Sequence, residues 1–155
     1  MRIVGFSCTP RQAYVAVVNA GEVEESDIER HEMASQHEAS EELLRTRDDF
    51  RRLLRELEAE KVVLLQPEER QPRKPGYQEL MPRIALETVI RLAAVEEGVR
   101  VELLPRPTVR ARLGLPKSGS LDSHVSTIIE APVGRYWNEG RNLAALVALA
   151  GESDN

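Results

Sequence analysis

Ser7 and Cys8 stand side by side where the first strand-like stretch gives way to Thr9-Pro10, and they bring a hydroxyl and a thiol to one strand end. A serine nucleophile needs a histidine or lysine within hydrogen-bond reach to take its proton. The three histidines, His31, His37 and His124, are scattered through polar segments, and no spacing pairs one of them with Ser7. They read as solvated surface groups; His31 and His37 would share a metal only if residues 31–37 were helical in a register that joined them. Cys8 is the only cysteine. No internal disulfide can form, the cysteine spacings of structural zinc sites are missing, and a reducing cytoplasm is the expected compartment. The thiol itself reads as core packing.

A different chemistry is offered by RPTVRARLGLPK, residues 106–117, which holds four bases and no acid. Arg106, Arg110, Arg112 and Lys117 would contact phosphates, joined by Arg70, Arg73 and Lys74 of a Pro-rich charged loop. The formal net charge of −5 argues against a protein that coats nucleic acid nonspecifically, since that binding depends on basic clusters releasing counterions. The charge is uneven, however: acids outnumber bases from Met1 to Gln66, so a polyanion would dock on the later segment. Arg135-Tyr136-Trp137 places the only tryptophan at a turn, where it would either anchor a partner or plug the edge of the core.

The elements that must position these groups follow from hydropathy period and turn residues. An apolar fraction of 41% with 4% aromatics predicts a globular core of Leu, Val, Ile and Ala. One domain over 1–150 is expected, with 151–155 a flexible tail. RIVGFS, QAYVAVVN and EVEESDIERHEM read as an antiparallel meander of three strands. Helical period takes over from Ser40, a plausible N-cap, to Glu60, turning Leu43, Leu44, Phe50, Leu54 and Leu57 inward. KVVLLQ (61–66) is a strand buried on both faces. A helix from Gln78 to Glu97 turns Ile84, Val89, Leu92 and Ala93 inward and stops at Gly98. VRVELL (99–104) is the fifth strand, and both helix-to-strand steps point to right-handed parallel crossovers. A turn at 109–113 and helices at 121–130 and 139–150 close the chain. Neither the apolar core of a signal peptide nor an 18-residue apolar span is present, so the chain is expected to be neither secreted nor membrane-spanning.

Three strands, helix, strand, helix, strand and closing helices is the element order of the ribonuclease H-like superfamily. Val4-Gly5-Phe6-Ser7-Cys8-Thr9 resembles the first strand of its RuvC-type junction resolvases, which reads roughly G-I-D-P-G. Arg83-Ile84-Ala85-Leu86-Glu87 through Val101, then Thr108-Val109-Arg110 and Leu113-Gly114-Leu115, is similar to that family's helix, strand and following segment. Glu139-Gly140-Arg141-Asn142-Leu143-Ala144-Ala145-Leu146 resembles its last-helix D-x-x-D-A-L-A-I. Together the matches span about residues 1–150.

The resemblance implies an α/β fold with a mixed five-stranded sheet, ordered 3-2-1-4-5, and helices on both faces. It also implies a site where carboxylates hold two divalent metals about 4 Å apart for phosphodiester hydrolysis. Carried over residue by residue, the first-strand Asp falls on Ser7, the fourth-strand acid on Gln66, and the last-helix pair on Glu139 and Asn142; a one-position shift brings in Asn138 instead. One carboxylate in place of four would hold hard cations too weakly, so no metal is expected and the chain reads as a degenerate nuclease. Its partners would be branched or duplex nucleic acid, a protein, or a second copy in a homodimer, as in the resolvases it resembles. The alternative is an active nuclease using Mg²⁺ or Mn²⁺ at a site rebuilt from Glu68, Asp122 and Glu139, with Glu69 beside them. A nucleotide-binding relative is disfavoured, because Ser7-Cys8-Thr9-Pro10 lacks the glycines of a phosphate turn.

Overall fold

The computed structural model describes residues 1–32, 40–67 and 76–153. In chain order its elements are β1 (Arg2–Cys8), β2 (Gln12–Asn19), β3 (Glu22–Glu24), β4 (Arg30–Glu32), α1 (Ser40–Glu56), β5 (Lys61–Leu65), α2 (Tyr77–Glu96), β6 (Arg100–Leu104), α3 (Arg106–Leu113), α4 (Val125–Ile128) and α5 (Arg141–Glu152). Single 3₁₀ turns at Leu121–His124 and Trp137–Glu139 precede α4 and α5. The sheet runs β3-β2-β1-β5-β6, with β4 also on β2. β1–β2 is antiparallel, whereas β1–β5 and β5–β6 are parallel. This is the expected mixed sheet with its third strand split in two.

The split has a local cause. β3 pairs with Val17–Asn19 and β4 with Gln12–Tyr14, leaving the middle of β2 opposite a gap. Between them the polar stretch Glu25-Ser26-Asp27 turns away from the ladder, the Ile28 N–H donating to Ser26 Oγ at 3.1 Å. The chain rejoins where the Val15 N–H donates to the Glu29 carbonyl at 3.0 Å.

Strand alternation sorts β1 between two cores. Val4, Phe6 and Cys8 face α1 and α2, packing with Phe50, Leu54, Leu86 and Ile90. Ile3 faces the other way, with Val63, Leu65, Val109 and Ala144–Ala150. Helices on both faces leave β5 buried throughout, and β1 and β2 buried except at Arg2, Gln12 and Asn19. Among the described residues no helix is long and apolar enough to cross a membrane.

α1, α2 and α3 end on Schellman motifs, in which a left-handed residue lets two amides satisfy orphan carbonyls. Gly98 (φ 71°) does so for α2 as expected, with the Gly98 and Val99 N–H groups donating to Val95 and Ala94 oxygens. α1 stops short of the expected Glu60, because Glu58 takes φ 53° and the Ala59 N–H reaches back to the Leu54 oxygen. At the other end of the chain α5 continues to Glu152 instead of fraying after Ala150. Gly151 packs against the Val63 side chain, and Lys61 Nζ donates to its carbonyl at 2.9 Å.

The inward face of α2 differs from its expected phase. Leu86, Val89, Ile90, Ala93 and Ala94 are buried, while Ile84 and Leu92 are exposed; Leu44 of α1, also expected inward, is exposed as well. Apolar residues lie around most of α2, so periodicity alone could not choose its buried side.

Candidate functional site

Helix α5 crosses the sheet on small residues. A Cβ on Gly5 of β1 would strike the Ala144 carbonyl, and one on Gly140 would strike the Tyr14 ring. These approaches fix the N-terminal end of α5 over the C-terminal end of β1. Ser7 follows Ile3 and Gly5 on the same face, is buried, and pairs across the ladder with Tyr14. Asn142, buried in the first turn of α5, lies two residues beyond Gly140; Glu139 is exposed in the preceding 3₁₀ turn, beside exposed Asn138.

Phe6 pairs with Leu64, so the residue level with Ser7 on β5 is Leu65, which belongs to the same α5-facing core. Gln66 is one residue further, past the strand end, its N–H donating to the Leu104 oxygen at 2.9 Å. Ser7 and Asn142 are thus buried on the α5 side of the sheet, Glu139 is exposed, and Gln66 follows the end of β5 beside β6. Among the described residues no cluster of three His, Cys, Asp or Glu side chains could hold a metal ion. Asp122 is exposed in the 3₁₀ turn before α4; Glu68, Glu69, Arg70, Arg73, Lys74 and His37 lie outside the described residues.

Gln66 instead joins the basic segment. A solvent-open groove of about 490 Å³ at the C-terminal ends of β5 and β6 is lined by Gln66, Arg106, Arg110 and Lys117, with Pro67, Pro105, Pro107, Ala111 and Leu115 as its apolar wall. Ends of parallel strands are where α/β sheets place ligands. Arg106 Nε donates to the Gln66 carbonyl at 3.2 Å. Arg110 donates to the carbonyls of Pro116, Ser118 and Gly119, at 2.5, 3.4 and 2.6 Å, and His124 Nε2 lies 2.7 Å from the Ser118 oxygen. Arg110 is thus held by main-chain carbonyls, with no carboxylate paired to it among the described residues.

Arg112, expected beside it, leaves the groove. It makes paired contacts of 3.1 and 3.2 Å with the Glu102 carboxylate, which Lys61 also approaches at 3.2 Å. The Arg112 hydrogen bond, with help from Lys61 and against some burial, holds the Glu102 carboxyl below its usual range. A larger hollow of about 700 Å³ lies by Arg2 at the opposite end of β1, lined by Glu25, Asp27, Glu29 and Glu56. Its acids would repel a polyanion.

Arg141 carried no role in the sequence reading. Its side chain is fully buried, with Nε donating to the Val15 oxygen at 2.8 Å and Nη1 to the Arg135 oxygen at 3.0 Å and to the Val133 oxygen. Its buried Nη2 has no hydrogen-bond partner among the described residues. Burial lowers its pKa, opposed by nearby Glu29. Trp137 is buried, with the Arg141 guanidinium 5.9 Å from its ring centre, so it is a core residue and no partner anchor. His31 is not a simple solvated group either: it packs on Phe50 with ring centres 4.7 Å apart, and burial lowers its pKa. Cys8 is buried with its pKa raised, first by burial and then by Glu87, which fits a packed thiol.

No protein-family model matches the chain, and no curated protein sequence does. Solved structures do match. The structure of T. thermophilus RuvC in complex with Holliday junction substrate aligns with a TM-score of 0.72 at 18% identity, covering 99% of this chain and 93% of that one. A second Thermus thermophilus RuvC structure gives 0.70 at 18% identity over 99% and 94%. The yeast mitochondrial Holliday junction resolvase Ydc2 gives 0.65 at 12% identity over 98% and 76%. The fold is thus ribonuclease H-like and resembles these resolvases; at such identities the likeness is one of fold.

Proposed function

We propose that the chain is a nucleic-acid-binding scaffold of resolvase-like fold that lacks two-metal hydrolysis and acts in the cytoplasm on branched or duplex nucleic acid. One observation supports the reading: where the resemblance implies carboxylates, the chain has a hydroxyl at Ser7 and amides at Gln66 and Asn142, with Glu139 the one acid. Paired divalent cations need several anionic oxygens, and Glu139 alone does not supply them, so these residues do not fit the ions. Binding is supported separately by the Arg110 and Lys117 charges at the same end of the sheet, and by the likeness to a RuvC structure holding a Holliday junction substrate.

A labelled four-way junction and a blunt duplex, each incubated with purified protein with and without Mg²⁺ or Mn²⁺, test both halves. The expected result is a salt-dependent mobility shift with intact strands. Metal-stimulated cleavage lost in Glu139→Ala would instead establish the rebuilt site of Glu68, Asp122 and Glu139. No shift at low salt would end the binding reading.

The scaffold would work as a homodimer through α2. Tyr77, Leu80, Ile84, Leu92 and Val95 are exposed at helical spacing and form an apolar stripe along that helix. A two-fold axis across such a stripe would bury both copies at once.

A further inference from the structure

We propose that the groove between Gln66 and α3 is a slot for one unstacked nucleotide, its base against the prolyl wall and its phosphate on Arg110 and Lys117. The inference rests on the nucleic-acid reading and names the part of the substrate that this site takes. The groove's volume of about 490 Å³ suits a single nucleotide. A stacked duplex is too wide to enter, so only an unpaired or extruded residue reaches the walls.

The chemistry of the lining matches the parts of a nucleotide. Pro67, Pro105, Pro107 and Leu115 give rigid apolar surfaces for the faces of a base. Gln66 lies beside them with its main chain already committed, its N–H to Leu104 and its carbonyl to Arg106. Its side-chain amide makes no hydrogen bond among the described residues and offers both a donor and an acceptor to a base edge. Lys117 has neither an ion pair nor a hydrogen bond among the described residues, and Arg110 is held by carbonyls alone. Two cations without a carboxylate partner among the described residues therefore line the solvent-open groove, where a phosphate carries its charge.

A nucleotide unit comes from two sources, a free nucleoside monophosphate or an unpaired residue in a strand; the open groove favours the strand, which can enter and leave along its length. Fluorescence anisotropy with a labelled duplex bearing a one-nucleotide flap, beside the same duplex blunt, tests this. The flap should bind about fivefold or more tightly, in line with the stacking of one base. Ala111, exposed on α3, lines the slot and makes none of the contacts above, so Ala111→Leu fills it while leaving the cations in place. That variant should bind the flap only as well as the blunt duplex; circular dichroism checks its fold. Equal affinity of wild type for flap and blunt duplex would overturn the slot and leave the scaffold reading standing. Absence of binding to any DNA at low salt would overturn the scaffold reading itself. Saturable calorimetric binding of AMP or dTMP without binding to either duplex would overturn the strand as the source.

Discussion

Arg141 Nε donates a 2.8 Å hydrogen bond to the Val15 oxygen, tying the first turn of α5 to β2 opposite the gap between β3 and β4. The gap leaves that stretch of β2 without a continuous ladder partner, and the guanidinium supplies one donor there. The same side chain holds the 133–135 turn through the carbonyls of Val133 and Arg135. Arg141→Met should lower stability by about 3 kcal/mol, because it removes three charge-assisted hydrogen bonds to main-chain carbonyls, the one to Val15 buried. Arg141→Lys should recover less than half, since an ammonium lacks the planar fork that reaches several acceptors. Urea titration of the three proteins checks this; a loss below about 1 kcal/mol in the Met variant would show that the contacts are marginal.

Gly5→Ala tests the crossing of α5 over β1. The new methyl would meet the Ala144 carbonyl, a backbone atom that cannot rotate aside, so the helix must shift away from the sheet. Overpacking of this kind costs about 2–3 kcal/mol, or a fall of roughly 5–10 °C in Tm for a domain of this size. An unchanged Tm by calorimetry would mean that the helix moves freely on the strand.

These two positions also mark what the sequence made legible. The strands, both crossovers and the Gly98 stop followed from period and turn residues, because those signals are local, whereas the sheet order came from the resemblance. The level of β5 against β1 was not local: KVVLLQ is apolar up to Gln66, and only the pairing of Phe6 with Leu64 puts Leu65 beside Ser7. Arg112 was one base among four until tertiary packing set Glu102 against it. Arg141 sat inside the stretch that resembles the last helix, yet nothing in its neighbours along the chain announces a buried guanidinium. Its partners are main-chain oxygens, which every residue possesses.

The separation of Arg110 from Arg112 predicts unlike variants. Arg110→Ala and Lys117→Ala should each weaken duplex binding and reduce the slope of log affinity against log salt by about 1, as one phosphate contact is lost. Arg112→Ala should leave that slope alone. It should instead cost about 1–2 kcal/mol of stability, since Glu102 loses its paired partner in a largely buried setting. Filter binding over a salt series, alongside urea melts, reads both effects; a slope change in Arg112→Ala would place that residue on the nucleic acid after all.

His31 should give the fold a pH dependence. Burial lowers its folded-state pKa, outweighing the opposite pull of Asp49 and Glu42. The unfolded chain therefore takes up the proton first as pH falls, and stability that is complete above about pH 6.5 is lost between that value and the folded pKa. His31→Phe keeps an aromatic ring against Phe50 and removes the titration. Between pH 7.5 and 5.5 the wild type should lose more stability in urea than this variant. Equal losses would assign the pH dependence to other groups.

The exposed stripe on α2 leads to the last expectation. Tyr77, Leu80, Ile84, Leu92 and Val95 present large apolar side chains to solvent along one helix, while the opposite side of that helix supplies Leu86, Ile90 and Ala93 to the core. Substituting the outward row therefore leaves the core intact, which separates assembly from folding. A glutamate at the centre of a self-complementary patch meets its own copy across the two-fold axis, so both desolvation and like-charge repulsion oppose pairing. Ile84→Glu should convert a dimer to a monomer in light scattering. Monomeric protein should keep the wild-type circular dichroism spectrum, because Ile84 is about half exposed within one copy, at 53%. Wild-type protein that is already monomeric at tens of micromolar would remove the dimer, while the groove at the C-terminal ends of β5 and β6 would remain testable on the single chain.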